Sequence, residues 1–189
     1  MKLLDFFRKR APSDSAYALY GAIVAQARRE IFYSRYGVPD TVDGRFDMIV
    51  LHLIVLFHRF RSEDEMVRAF GQEVFDVFCT DMDRNLREMG VADITVPKKI
   101  KKMINAFYGR LERYVGAIDS GDRAALAEGI RRNLFPGAED HIHPEPLAGY
   151  VLASVEALKR QTVETLRGGT ADFADPGLFA PGSPEAGAP

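Results

Sequence analysis

Four histidines, a single cysteine and two closely spaced aspartates are the side chains whose types could do chemistry in this 189-residue chain. His52 and His58 are six residues apart. Two ligands share a helix face at spacings of three or four, so this pair faces different ways and is not expected to share a metal. His52 lies within an apolar run and reads as a core histidine hydrogen-bonded to a neighbour, with pH sensing as the alternative. His141 and His143 stand beside Glu139 and Asp140 in a loop that could cup a cation, but no third strong ligand follows at a recognisable spacing. Asp81 and Asp83 point about 160° apart on a helix, which makes one shared pocket awkward. Cys79, near them, has no adjacent base and no helix N-terminus to lower its pKa, so a buried thiol is expected. A lone cysteine also excludes an internal disulfide and any multi-cysteine zinc or iron–sulfur site. The chain has no GxGxxG, phosphate-binding loop, GxSxG or HExxH motif. No catalytic, metal-binding or cofactor-binding residue is therefore assigned, and a small all-α enzyme is the least favoured reading.

Charge is more informative. The total is −2, from 25 Lys and Arg against 27 Asp and Glu, which argues against a dedicated or sequence-specific nucleic-acid binder. Yet Ser62–Gly90 holds eight acids and three bases, and Pro97–Arg113 holds six bases and one acid. Lys98, Lys99, Lys101 and Lys102 crowd what reads as the first turns of a helix, where the helix dipole disfavours cations. Such a run is either a solvated face paired with neighbouring acids or a docking surface for an acidic partner, a ribosome or anionic lipid.

The elements that must position these groups are helical throughout. Apolar spacing of three and four recurs, and no segment shows strand alternation. A first helix is expected over Asp14–Tyr36, with Gly37 as a left-handed cap and Pro39 barring continuation. A second starts near Thr41 or Asp43, either of which can cap it, and carries the run Met48–Phe57, all apolar but for His52. That run spans about 15 Å as helix, half a bilayer core, so it predicts a central core helix and no membrane span. Ser62 and Glu65 have the form of a capping box for a third helix reaching Met89, with a possible break at Gly71. Thr95 and Pro97 open a fourth, whose stripe runs Ile100, Met103, Ile104, Phe107, Leu111, Tyr114, Val115 and Ile118. A fifth runs from Asp122 to Phe135, stopped by Pro136 and Gly137. After a loop at Ala138–His143 comes a last helix over Pro144–Arg167. From Gly168 the final 22 residues hold nine Gly or Pro and no Lys or Arg, the composition of a disordered tail.

Length and a composition of 47% apolar and 28% charged residues fit one soluble domain. The expectation is an all-α, compact bundle of about six helices over residues 14–167, between a flexible segment at 1–13 and a disordered tail at 168–189. The N-terminal MKLLDFFRKR has no hydrophobic region long enough for a signal peptide. It reads as a frayed terminus or as an amphipathic toe-hold, with Leu3, Leu4, Phe6 and Phe7 apolar and Lys2, Arg8, Lys9 and Arg10 cationic.

Three blocks in order carry a family resemblance. The first is Phe32-Tyr33 followed by Gly37-Val38-Pro39-Asp40-Thr41-Val42-Asp43-Gly44-Arg45-Phe46-Asp47-Met48. The second is Asp81-Met82-Asp83-Arg84-Asn85-Leu86-Arg87-Glu88-Met89-Gly90-Val91. The third is Val96-Pro97-Lys98-Lys99 with Lys102-Met103, ending at Phe107-Tyr108-Gly109-Arg110. Over Tyr17–Ile118 the chain resembles the ubiquinol–cytochrome c chaperone family, assembly factors for respiratory complex III. The resemblance implies a non-enzymatic chaperone that binds newly made cytochrome b, in some members with a small partner protein. Without a presequence at the N-terminus, it implies a bacterial member in the cytoplasm, peripheral at the inner membrane. The competing reading is a membrane-surface or ribosome-associated adaptor using the lysine-rich helix. A chaperone for a membrane protein needs an apolar groove with a charged rim. The candidate partner-binding residues are Lys98, Lys99, Lys101, Lys102, Tyr108 and Arg110, with Phe107 on the core stripe and Tyr108 off it.

Overall fold

A helix that is apolar on every side needs cover from every direction, and the run Met48–Phe57 dictates the architecture accordingly. The computed structural model describes residues 11–136 and 144–183. Among these, every regular element is a helix. In chain order they are α1 (Asp14–Ala27), α2 (Glu30–Ser34), α3 (Val42–Phe60), α4 (Glu65–Glu88), α5 (Val96–Ser120), α6 (Arg123–Leu134), α7 (Glu145–Lys159), α8 (Val163–Arg167) and α9 (Pro176–Phe179). Helix α3 is the axis, contacted by α1, α4, α5, α6 and α7, and Met48 through Leu56 are all buried.

Local chemistry sets the helix ends. The Thr41 hydroxyl accepts from Gly44 N–H at 3.1 Å, and the Asp122 carboxylate accepts from Ala125 N–H at 2.8 Å, each satisfying an N-terminal donor that has no partner within its helix. The cap of α4 is Asp64, whose carboxylate accepts from Val67 N–H at 2.9 Å, and not Ser62. The carboxylate lies one turn before the first stripe residue, and Ser62 lies outside the helix. Nor does α4 break at Gly71. A Cβ there would lie 3.1 Å from the Phe60 ring, so glycine lets α4 cross close over the end of α3.

The helix expected over Asp14–Tyr36 is divided into α1 and α2. Arg29 is extended (φ −58°, ψ 128°), and the Tyr33 hydroxyl donates to the Ala27 carbonyl at 3.0 Å, replacing a bond that the break removes. Gly37 adopts the expected left-handed conformation, φ 73°. The last helix is likewise divided into α7 and α8. Between them the Gln161 side chain reaches across to the following segment, donating to Asp172 O at 2.7 Å and accepting from Asp172 N–H at 2.8 Å.

That segment differs from the disordered tail expected from Gly168. As far as Ser183 it is laid on the bundle: the Tyr36 hydroxyl donates to Pro176 O at 2.6 Å, Ala180 is fully buried, and Arg29 pairs with Asp175. The Phe173 ring meets His52 edge-on at 5.0 Å. A few well-placed aromatic and polar contacts outweigh the conformational freedom that Gly and Pro content signals. Residues 1–10, 137–143 and 184–189 lie outside the described residues, and with them the N-terminal toe-hold and the His141, His143, Glu139 and Asp140 cup.

Candidate functional site

An apolar groove of about 560 Å³ opens where α4 and α5 diverge over the end of α3. Phe57 and Phe60 of α3 form its floor, Gly71 of α4 one wall, and Tyr108, Leu111 and Val115 of α5 the other, with Arg61, Arg68 and Glu112 around the rim. The floor belongs to an aromatic cluster. The Phe57 and Phe107 ring centroids lie 5.4 Å apart, and those of Phe75 and Phe107 lie 4.6 Å apart. Tyr108 rests on Phe75 at 5.8 Å and remains 43% exposed, and burial of its ring raises the phenol pKa, so it presents a neutral amphipathic edge.

The rim cations are anchored. The Arg61 guanidinium pairs with Asp119, and Arg68 donates to the Glu63 carbonyl. The bond to Arg61, reinforced by His58 Nε2 at 3.0 Å, holds the Asp119 carboxyl down at about 2. Burial lowers the pKa of His58, so at neutral pH its Nε2–H donates to Asp119. Beside the groove these residues, with Arg59 and Lys159, line a smaller polar recess of about 210 Å³. The groove itself has an apolar lining and no nucleophile–base pair. Among the described residues, no three His, Cys, Asp or Glu side chains converge.

The six candidate residues fall into three groups. Tyr108 lies on the groove. Lys98, Lys99, Lys101 and Lys102 lie exposed at the start of α5, with no carboxylate partner among the described residues. Arg110 is turned inward onto Asp47, both side chains being less than 15% exposed, and it ties α5 to α3 rather than facing outward. Burial raises the Asp47 carboxyl pKa, against the pull of Arg110. Phe107 is fully buried, as its place on the stripe predicts. Sequence reasoning missed Phe57, Phe60, Gly71, Arg61 and Arg68 as groove residues and counted Leu111 and Val115 as core. A signal was available: Tyr108, Leu111 and Val115 form a second apolar row beside the buried Phe107, Tyr114 and Ile118 row, wider than one seam requires.

The other reactive groups serve the core. The Met48 carbonyl can only accept, so at 2.7 Å it fixes the His52 proton on Nδ1, and Nε2 then accepts from the Tyr150 hydroxyl, also at 2.7 Å. Gln26 Nε2 donates to the same hydroxyl oxygen at 3.0 Å. Complete burial lowers the His52 pKa to about 4. Burial likewise pushes the Cys79 thiol up to about 12, leaving it inert. Asp81 accepts from the Tyr20 hydroxyl at 2.8 Å and from Arg84 at 2.9 Å, while Asp83 pairs with Arg87, so the two carboxylates have separate partners.

Known proteins share this frame. A sequence model of the ubiquinol-cytochrome C chaperone family matches residues 34–173. Human ubiquinol-cytochrome c reductase complex assembly factor 1 is 28% identical over 153 residues, which are 80% of this chain and 51% of that protein. Protein CBP3 of yeast mitochondria is 29% identical over 154 residues, 78% of this chain and 45% of that protein. The chain thus spans about half the length of these two relatives. The crystal structure of the Cbp3 homolog from Brucella abortus superposes with a TM-score of 0.80 at 37% identity, covering 93% of this chain and 98% of that one.

Proposed function

This chain belongs to the ubiquinol-cytochrome C chaperone family, and on that premise we propose that it is a non-enzymatic chaperone for assembly of ubiquinol–cytochrome c reductase. Its client is newly made cytochrome b, held through an apolar segment in the groove between α3, α4 and α5. The observation that carries this reading is the groove itself. A pre-formed apolar channel floored by Phe57 and Phe60, and rimmed by the anchored Arg61 and Arg68, suits one face of an amphipathic or membrane-destined helix. A relative named as a ubiquinol-cytochrome c reductase complex assembly factor supports a client drawn from that complex. The lining offers dispersion contacts and burial, with no acid–base pair to run a reaction, which supports shielding over catalysis. The chaperone acts at the periphery of the membrane that receives the client.

Deletion of the gene and recovery of the tagged chain test this. The expected result is reduced assembled cytochrome b in the deletion and enrichment of newly made cytochrome b with the tag. Normal abundance of the complex in a clean deletion overturns it.

A further inference from the structure

The groove leaves the most conspicuous surface of the molecule unused. Lys98 and Lys102 stand one turn apart on α5, and Lys99 and Lys101 flank them, covering the arc opposite the buried Ile100. Beside them the turn joining α4 to α5 presents Ile94, 91% exposed, and Met89, 51% exposed. The turn is not slack: Thr95 N–H donates to Ala92 O at 2.7 Å and Val91 N–H to Leu86 O at 3.0 Å, so the backbone holds Ile94 outward. Five basic side chains face two carboxylates over residues 87–102, a net +3. Of those acids Asp93 is neutralised by Arg87, which also bonds Asp83, leaving Glu88 as the one outside that network.

We infer that this surface docks the protein on an anionic phospholipid bilayer, with Ile94 and Met89 entering the headgroup–acyl boundary and the four lysines meeting the lipid phosphates. Two independent features converge on that partner. Lysines are compact point charges suited to a diffuse layer of phosphates, and an outward isoleucine gains only where apolar matter receives it. A nucleic acid would satisfy the lysines and leave Ile94 in water, and the patch offers no aromatic side chain or unpaired arginine to stack on a base.

Docking also orients the groove, a consequence that rests on the client reading above. Along α5 the wall residue Tyr108 lies six positions from Lys102, and Val115 thirteen, or about 9 and 20 Å at 1.5 Å per residue. A client helix leaving the bilayer would therefore meet the groove within a few turns.

Flotation of the full chain with vesicles tests the surface, using phosphatidylcholine alone or with 30 mol% phosphatidylglycerol. Binding is expected only to the anionic vesicles and to weaken with added salt. Replacing Lys98, Lys99, Lys101 and Lys102 together by Gln should lower the partition coefficient about five-fold per lysine, and Ile94→Ser should lower it about ten-fold. The chain has no tryptophan, so Ile94→Trp supplies a unique probe whose emission should shift to the blue on anionic vesicles. Equal binding to neutral vesicles, unaltered binding by the four-lysine variant, or an unshifted emission from the Ile94→Trp variant overturns the proposal. So does salt-sensitive binding to ribosomal RNA that the four-lysine change abolishes and Ile94→Ser leaves intact. The two readings fail separately: a docking variant that has lost vesicles should still bind detergent-solubilised cytochrome b, and a groove variant should still float.

Discussion

His52 makes a sharp prediction because its charge has nowhere to go. The imidazole is 1% exposed, and its polar contacts are the Met48 carbonyl and the Tyr150 hydroxyl, with the rings of Phe32, Phe173 and Tyr150 packed around it. Burial lowers its pKa to about 4, from about 6.5 in the unfolded chain. Because the folded value is the lower one, the unfolded state takes the proton first as pH falls, and stability drains away between pH 6.5 and 4. At 1.36 kcal/mol per pH unit, the loss is about 2 kcal/mol at pH 5, about 3 kcal/mol at pH 4, and approaches about 3.4 kcal/mol well below that. Other groups titrate over the same range, so the measurement is a difference. Urea unfolding of the wild type and of His52→Gln, followed by far-ultraviolet circular dichroism at pH 7.5 and pH 5, isolates the histidine. The wild type should lose about 2 kcal/mol more than the variant between the two pH values. Equal losses within about 0.5 kcal/mol would mean that His52 is protonated in the folded state or reached by water, and would refute the burial argument.

Arg110→Ala strands the Asp47 carboxyl in the core and should cost about 3 kcal/mol at neutral pH. Pairing it with Asp47→Leu should restore much of that loss in the same urea assay. Truncation after Arg167 removes Phe173, Pro176, Phe179 and Ala180 from the bundle. At about 2–3 kcal/mol for the lost burial, it should lower Tm by about 5–10 °C; an unchanged Tm would contradict the docked placement of this segment. Val115→Asp puts a carboxylate on the groove wall at a half-buried position. It should reduce cytochrome b recovery about ten-fold while shifting the urea midpoint little, as quantitative pull-down and unfolding together would report.

Much of the fold was legible because its signals are local. Of the two caps offered, Thr41 and Asp43, the first is used, the fifth expected helix starts at its Asp122 cap, and the Met48–Phe57 run, apolar but for His52, lies at the centre. Where reading failed, the deciding interactions were distant in sequence. The tail composition spoke for disorder, but Tyr36, Gln161 and His52 supply its partners from elsewhere in the chain. The groove was half legible. Tyr108 stands off the main stripe and was identified, whereas Leu111 and Val115 were counted with the core: their second apolar row hinted at extra surface, but the gap between α4 and α5 that opens it is a tertiary property. Arg110 shows the converse: a cation in an outward-looking motif is drawn inward by Asp47, 63 residues away.

Site-specific photocrosslinking reports whether the client lies in the groove. A photoreactive phenylalanine analogue at Leu111 would sit in the groove; one at Leu178, exposed on α9 against α2 and α7, would sit on another face. During synthesis of cytochrome b, an adduct is expected from position 111 and none from position 178. Crosslinking from 178 with none from 111 would contradict a client held in the groove.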